Sequence, residues 1–111
     1  MKWMRELYVG DQVYRRKKKI VRRIRRHKPL PGVYVLILPA HPSNQVEFFD
    51  ANTLLQPYYR RQEDLTIVGI AGGYDEAVLL VMRIADECYR KTGTGERRAF
   101  LTDRMRREGE D

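Results

Sequence analysis

Residues 33–40 read VYVLILPA, and this stretch decides the fold. Its β-branched and aliphatic residues run on without a polar break. The short length and the bounding Pro31 and Pro39 favour a buried strand over a helix. Residues 65–71, LTIVGIA, form a second run of the same kind, closed by Gly72 and Gly73.

Upstream of the first run, Pro29 and Pro31 end a helix expected over Asp11–His27. There Val13, Tyr14, Ile20, Val21 and Ile24 fall near one face, separated mostly by cations. Asp11 is positioned to cap that helix, after a short strand at Leu7–Val9 that ends in Gly10. Downstream, His41–Asn44 reads as a loop. Val46–Asp50 reads as a short strand or as the lead into a helix around Asn52–Gln62, in which Pro57 is tolerated only in the first turn. After Gly73, Asp75 and Glu76 suit a helix start. The longest helix is expected over Ala77–Tyr89, with Val78, Val81, Met82, Ile84, Ala85 and Cys88 toward the core. Arg83, Asp86, Glu87 and Arg90 are left for solvent, and Gly93 suits a C-terminal cap.

Strands and helices in alternation predict an α/β fold: one small domain with a short, mainly parallel sheet of three or four strands flanked by helices. A two-layer α+β domain is the alternative if Leu7–Val9 does not pair. The domain is expected over residues 1–93. Residues 94–111 form a charged helix or tail whose only large apolar residues are Phe100, Leu101 and Met105. At 111 residues there is no room for a second folded domain.

The net charge of +7 is unevenly spread. From Arg15 to Lys28 the chain reads RRKKKIVRRIRRHK, with ten Lys or Arg and no acid, whereas the remainder carries twelve bases against fifteen acids. The basic surplus is therefore a discrete patch on a slightly acidic body. Helical spacing turns Arg15, Lys18, Lys19, Arg22, Arg25 and Arg26 away from Ile20 and Ile24, so the apolar side docks while the basic side meets an anion. Arg16, Arg23 and Lys28 complete the patch. A polyphosphate backbone would bind it with strong salt dependence and little sequence preference. The competing reading is a solvated surface helix, since Lys and Arg are good helix formers, or a helix that meets an acidic protein partner. A membrane surface suits it less well, because the apolar stripe is narrow and has no Trp or Phe.

Tyr58 and Tyr59, followed by Arg60 and Arg61, offer stacking rings beside cations; partial burial at a helix end is the alternative. GIAGGYDEA after a strand places backbone N–H groups where a phosphate could sit, yet it is neither a dinucleotide fingerprint nor a P-loop. Asp75 and Glu76 would compete with an anion there. In a parallel sheet Asp11, His41 and Asp75 would all follow strand C-terminal ends, where α/β domains place ligands, so His41 is the position for a general base in an enzymatic reading. No catalytic residue is assigned, no spacing resembles a metal site, and no cofactor is implied. His27 is read as a bystander among the cations.

Cys88, the only cysteine, is expected to be a buried thiol, which fits a reducing cytoplasm. No run is apolar enough for a spanning helix, the opening MKWMRELYVG lacks a signal-peptide core, and nothing in the sequence fixes an oligomeric state.

The LYVGD opening, the KKKIVRRIRR run, VYVLIL, and IVGIA followed by YDEAV are similar to those of a group of small bacterial proteins of unknown function. The resemblance covers most of the chain. It implies a bacterial cytosolic protein and brings no activity, cofactor or functional residue with it.

Overall fold

The computed structural model describes residues 1–41 and 45–109. Four strands, β1 (Lys2–Val9), β2 (Tyr34–Leu38), β3 (Glu47–Asp50) and β4 (Thr66–Ala71), form one sheet in the order β1-β4-β2-β3. β1 pairs with β4 in parallel, whereas β2 is antiparallel to both of its neighbours, β4 and β3. The α/β class holds, but the sheet is mixed and not mainly parallel. The apolar runs of β2 and β4 report burial on two faces, which parallel strands usually have but do not monopolise. Val35, Ile37, Ile67 and Ile70 point into one core, and Leu36, Leu38, Val68 and Ala71 into the other. Strand direction is set elsewhere: the return through Pro29–Val33 brings Tyr34 beside Ala71 instead of beside Thr66.

β1 is longer than Leu7–Val9 because it also pairs with β4 at Lys2 and Trp3, with a break in register between the two paired segments. Trp3 lies opposite Ile67 and Tyr8 opposite Gly69, so the intervening residues bulge away from β4. The backbone N–H groups of Arg5 and Glu6 donate to the Glu108 carboxylate at 3.1 and 3.3 Å. A side chain from the far end of the chain thus supplies acceptors that the neighbouring strand does not.

Helices cover both faces. On one side α3 (Tyr74–Thr92) and α4 (Arg97–Gly109) bury Ala77, Leu80, Ile84, Cys88, Phe100 and Leu101 against the sheet. The phase of α3 turns Ala77, Leu80, Ile84 and Cys88 inward: Ile84 and Cys88 are buried as expected, Val78, Val81 and Ala85 are partly buried, and Leu80 takes the inward place expected for Met82, which is 60% exposed. Glu76 fixes that phase by turning its carboxylate inward to accept from the N–H groups of Gly72 (2.7 Å) and Gln12 (3.0 Å). Gly93 closes α3 in the left-handed conformation, as its position suggested. On the other side a 3-10 turn (Tyr14–Arg16) leads into α1 (Lys17–Arg25), and a second turn (Ala51–Leu55) leads into the short α2 (Pro57–Arg60), with Pro57 in its first turn.

Asp11 caps neither element. Val13 and Arg16 stand at those N-termini without side-chain bonds, because the Gly10–Gln12 turn is shaped around the Glu76 carboxylate. A Cβ on Gly10 would lie 1.8 Å from Glu76 Oε1, so any other residue there would displace the Glu76 carboxylate. Of the expected loop, residues 42–44 lie outside the described residues, as do 110–111 of the C-terminal segment.

Candidate nucleic-acid interface

α1 is fastened by its apolar side. Ile20 and Ile24 are buried with Val13, Val33 and Ile67, and burial of each isoleucine stabilises by about 1.5–3 kcal/mol. The helix ends in a Schellman turn: Lys28 N–H donates to Arg23 O at 3.0 Å and His27 N–H to Ile24 O at 3.1 Å. His27 therefore occupies the left-handed position, with φ of 54°.

With that side docked, Arg15, Arg16, Lys18, Lys19, Arg22, Arg25, Arg26 and Lys28 are exposed, while Arg23 is half-buried and donates to Pro29 O at 2.8 Å. Among the described residues no ion pair involves a cation between Arg15 and Lys28. The ion pairs that form among the described residues use Lys2, Arg83, Arg90, Arg104, Arg106 and Arg107 instead. Cations also crowd the first turn of α1, the positive end of its dipole, where they are disfavoured. Among the described residues these like charges are thus held together without an ion-paired carboxylate.

The patch is not bounded by the helix. Arg25 places its guanidinium over the Trp3 ring, 5.1 Å from its centroid. Trp3, Arg25, His27, Tyr59 and Arg60 line a crevice of about 410 Å³. Beyond it, Tyr58, Tyr59, His41, Glu47 and Gln62 line a groove of about 540 Å³ at the end of the sheet where β3 and β4 begin. Tyr59 is held by Phe49, with ring centroids 5.0 Å apart, and meets Tyr58 edge-on at 4.9 Å. Burial pushes the Tyr59 phenol above its ordinary value, with Glu47 and Tyr58 adding to the rise. Tyr58 is 64% exposed.

The antiparallel course of β2 takes apart the constellation on which an enzymatic reading rested. β2 ends beside Thr66, whereas Asp11 and Asp75 lie past the ends of β1 and β4, on the opposite edge of the sheet. His41 shares its groove with Glu47 and the two tyrosines instead. At the other edge, the Glu76 carboxylate takes the Gly72 N–H, so the Gly-rich turn is filled from within. Among the described residues no cluster of three or more His, Cys, Asp or Glu is placed to hold a metal ion. No helix is long and apolar enough to cross a membrane.

No family model, no curated protein and no solved structure matches this chain. The cations and the tyrosine pair stand out in the sequence, whereas Trp3, Glu47 and Gln62, which line the same depressions, do not. Trp3 sits in a charged opening whose strand character is hidden by Arg5 and Glu6, and Glu47 and Gln62 carry no local signal.

Proposed function

We propose that this is a small cytoplasmic accessory protein of nucleic acids or ribonucleoproteins that grips the phosphate backbone through the exposed side of α1, with little base selectivity. One observation carries the proposal: the docked α1, with the turn before it and its C-cap, presents Arg15, Lys18, Lys19, Arg22, Arg25 and Arg26 to solvent, with no carboxylate paired to any of them among the described residues. A flexible basic tail would lose conformational entropy on binding, whereas a row fixed by Ile20 and Ile24 is already ordered. Backbone phosphates would supply the missing counter-charge and release condensed cations, which is a gain that grows as salt falls. Cys88, the single cysteine, is buried among Leu80, Ile84 and Leu101, and a fold that uses no internal disulfide supports a reducing compartment.

The test is a fluorescence-anisotropy titration of labelled single-stranded and duplex DNA and RNA over rising salt. The wild type is compared with K18E/K19E/R22E/R26E, a set that leaves Arg23 on the Pro29 carbonyl. Binding at low salt that disappears in the variant is expected. Absence of binding at low salt overturns the proposal, and full retention in the variant moves the site off α1.

A further inference from the structure

We infer that the surface takes a single-stranded polynucleotide, with phosphates along α1 and an unstacked base in the groove against Tyr58. The inference rests on the phosphate-binding reading and adds the kind of strand. Three neighbouring depressions, each sharing a wall residue with the next, would together make one track. The first, of about 370 Å³, lies on α1 between Lys18, Val21, Arg22 and Arg25. Arg25 is also a wall of the Trp3 crevice, and Tyr59 is a wall shared by that crevice and the terminal groove.

Charge alone would serve a duplex equally well. What separates the two strand types is the chemistry further along the track. Paired bases are stacked inside a double helix and cannot enter a lateral groove, whereas a single strand can turn its bases outward onto aromatic rings. The track offers such rings in sequence: Trp3 beneath Arg25, Tyr59 braced by Phe49, then Tyr58 largely open to solvent. Within the groove the Glu47 carboxylate accepts hydrogen bonds and the Gln62 amide both donates and accepts, a combination suited to the exocyclic amines and ring nitrogens of a base edge. Stacking tolerates any base, which agrees with low sequence selectivity. Arg60, on the Trp3 crevice, supplies a cation beyond the end of α1.

Tyr58 is the residue to change, because its exposure means that its loss leaves the core intact. Labelled single-stranded RNA, single-stranded DNA and duplex DNA of one sequence are titrated into wild type, Y58A and Y58F. Y58A is expected to weaken single-strand binding about tenfold or more, with the duplex affinity and the salt slope unchanged and Y58F close to wild type. The fluorescence of Trp3, the only tryptophan, is expected to be quenched by single strands in all three proteins. Equal single-strand affinity of Y58A and wild type overturns the inference. If K18E/K19E/R22E/R26E then still abolishes binding, the phosphate reading survives without it, and if the wild type binds no strand both fall. A preference between the RNA and DNA arms, lost in Y58A, supports the inference and tells which sugar the track accepts.

Discussion

His27 sits where a helix normally ends in glycine. Its left-handed backbone costs an L-residue roughly 1 kcal/mol. H27G is therefore expected to raise stability by up to about 1 kcal/mol in urea unfolding, and a loss would mean that the imidazole contributes more than the backbone costs. Tyr8 poses a different question. It is buried, donates to Glu87 Oε2 at 2.5 Å and accepts from Arg104 at 2.6 Å. Burial pushes its phenol well above the ordinary range, and the bond to Glu87 adds to this, while Arg104 offsets part. The folded state therefore keeps a proton that the unfolded chain gives up near pH ~10. The contribution is fully present below that pH and is lost above it. Wild-type stability is expected to fall more steeply than that of Y8F as pH rises past about 10, measured by chemical denaturation; parallel profiles would contradict the shift.

At the scale of the element, the charge pattern of α1 costs stability. Like charges three and four residues apart each cost a few tenths of a kcal/mol, and Lys17, Lys18 and Lys19 face the positive end of the helix dipole. K18E is expected to stabilise the free protein by about 0.3–1 kcal/mol while weakening nucleic-acid binding, an opposition readable from thermal melts and titrations of the same sample. α4 behaves differently. Leu101 is fully buried between α3 and the sheet, so L101A is expected to cost about 2–5 kcal/mol; a smaller loss would mean that α4 is only loosely seated.

These elements also mark what the sequence makes legible. β2, β4 and α1 were readable because their apolar residues follow local patterns that a core imposes directly. β1 was only half readable, since Arg5 and Glu6 break its alternation and their N–H groups are satisfied by Glu108 of α4. The direction of β2 left no trace in its residues. That direction decides which loops share an edge, so His41 was placed with Asp11 and Asp75 when it lies with Tyr58, Tyr59 and Glu47. The cations were visible as a run, whereas the track beyond them joins residues from β1, β3 and α2 and exists only in three dimensions.

Across the whole molecule, the charge divides between one helix and the rest. Ion pairs such as Arg104–Glu6 and Arg90–Asp86 lie on β1, α3 and α4, whereas α1 carries none among the described residues. Added salt is therefore expected to stabilise the free protein by screening α1 while weakening its complex. The second effect is the most direct measure of whether α1 is a phosphate clamp. Six outward cations, Arg15, Lys18, Lys19, Arg22, Arg25 and Arg26, predict that the logarithm of the duplex binding constant falls with the logarithm of salt at a slope of about −5. In K18E/K19E/R22E/R26E the slope should shrink to about −2 or binding should vanish. A wild-type slope near zero, or one that the four changes leave intact, would contradict the account.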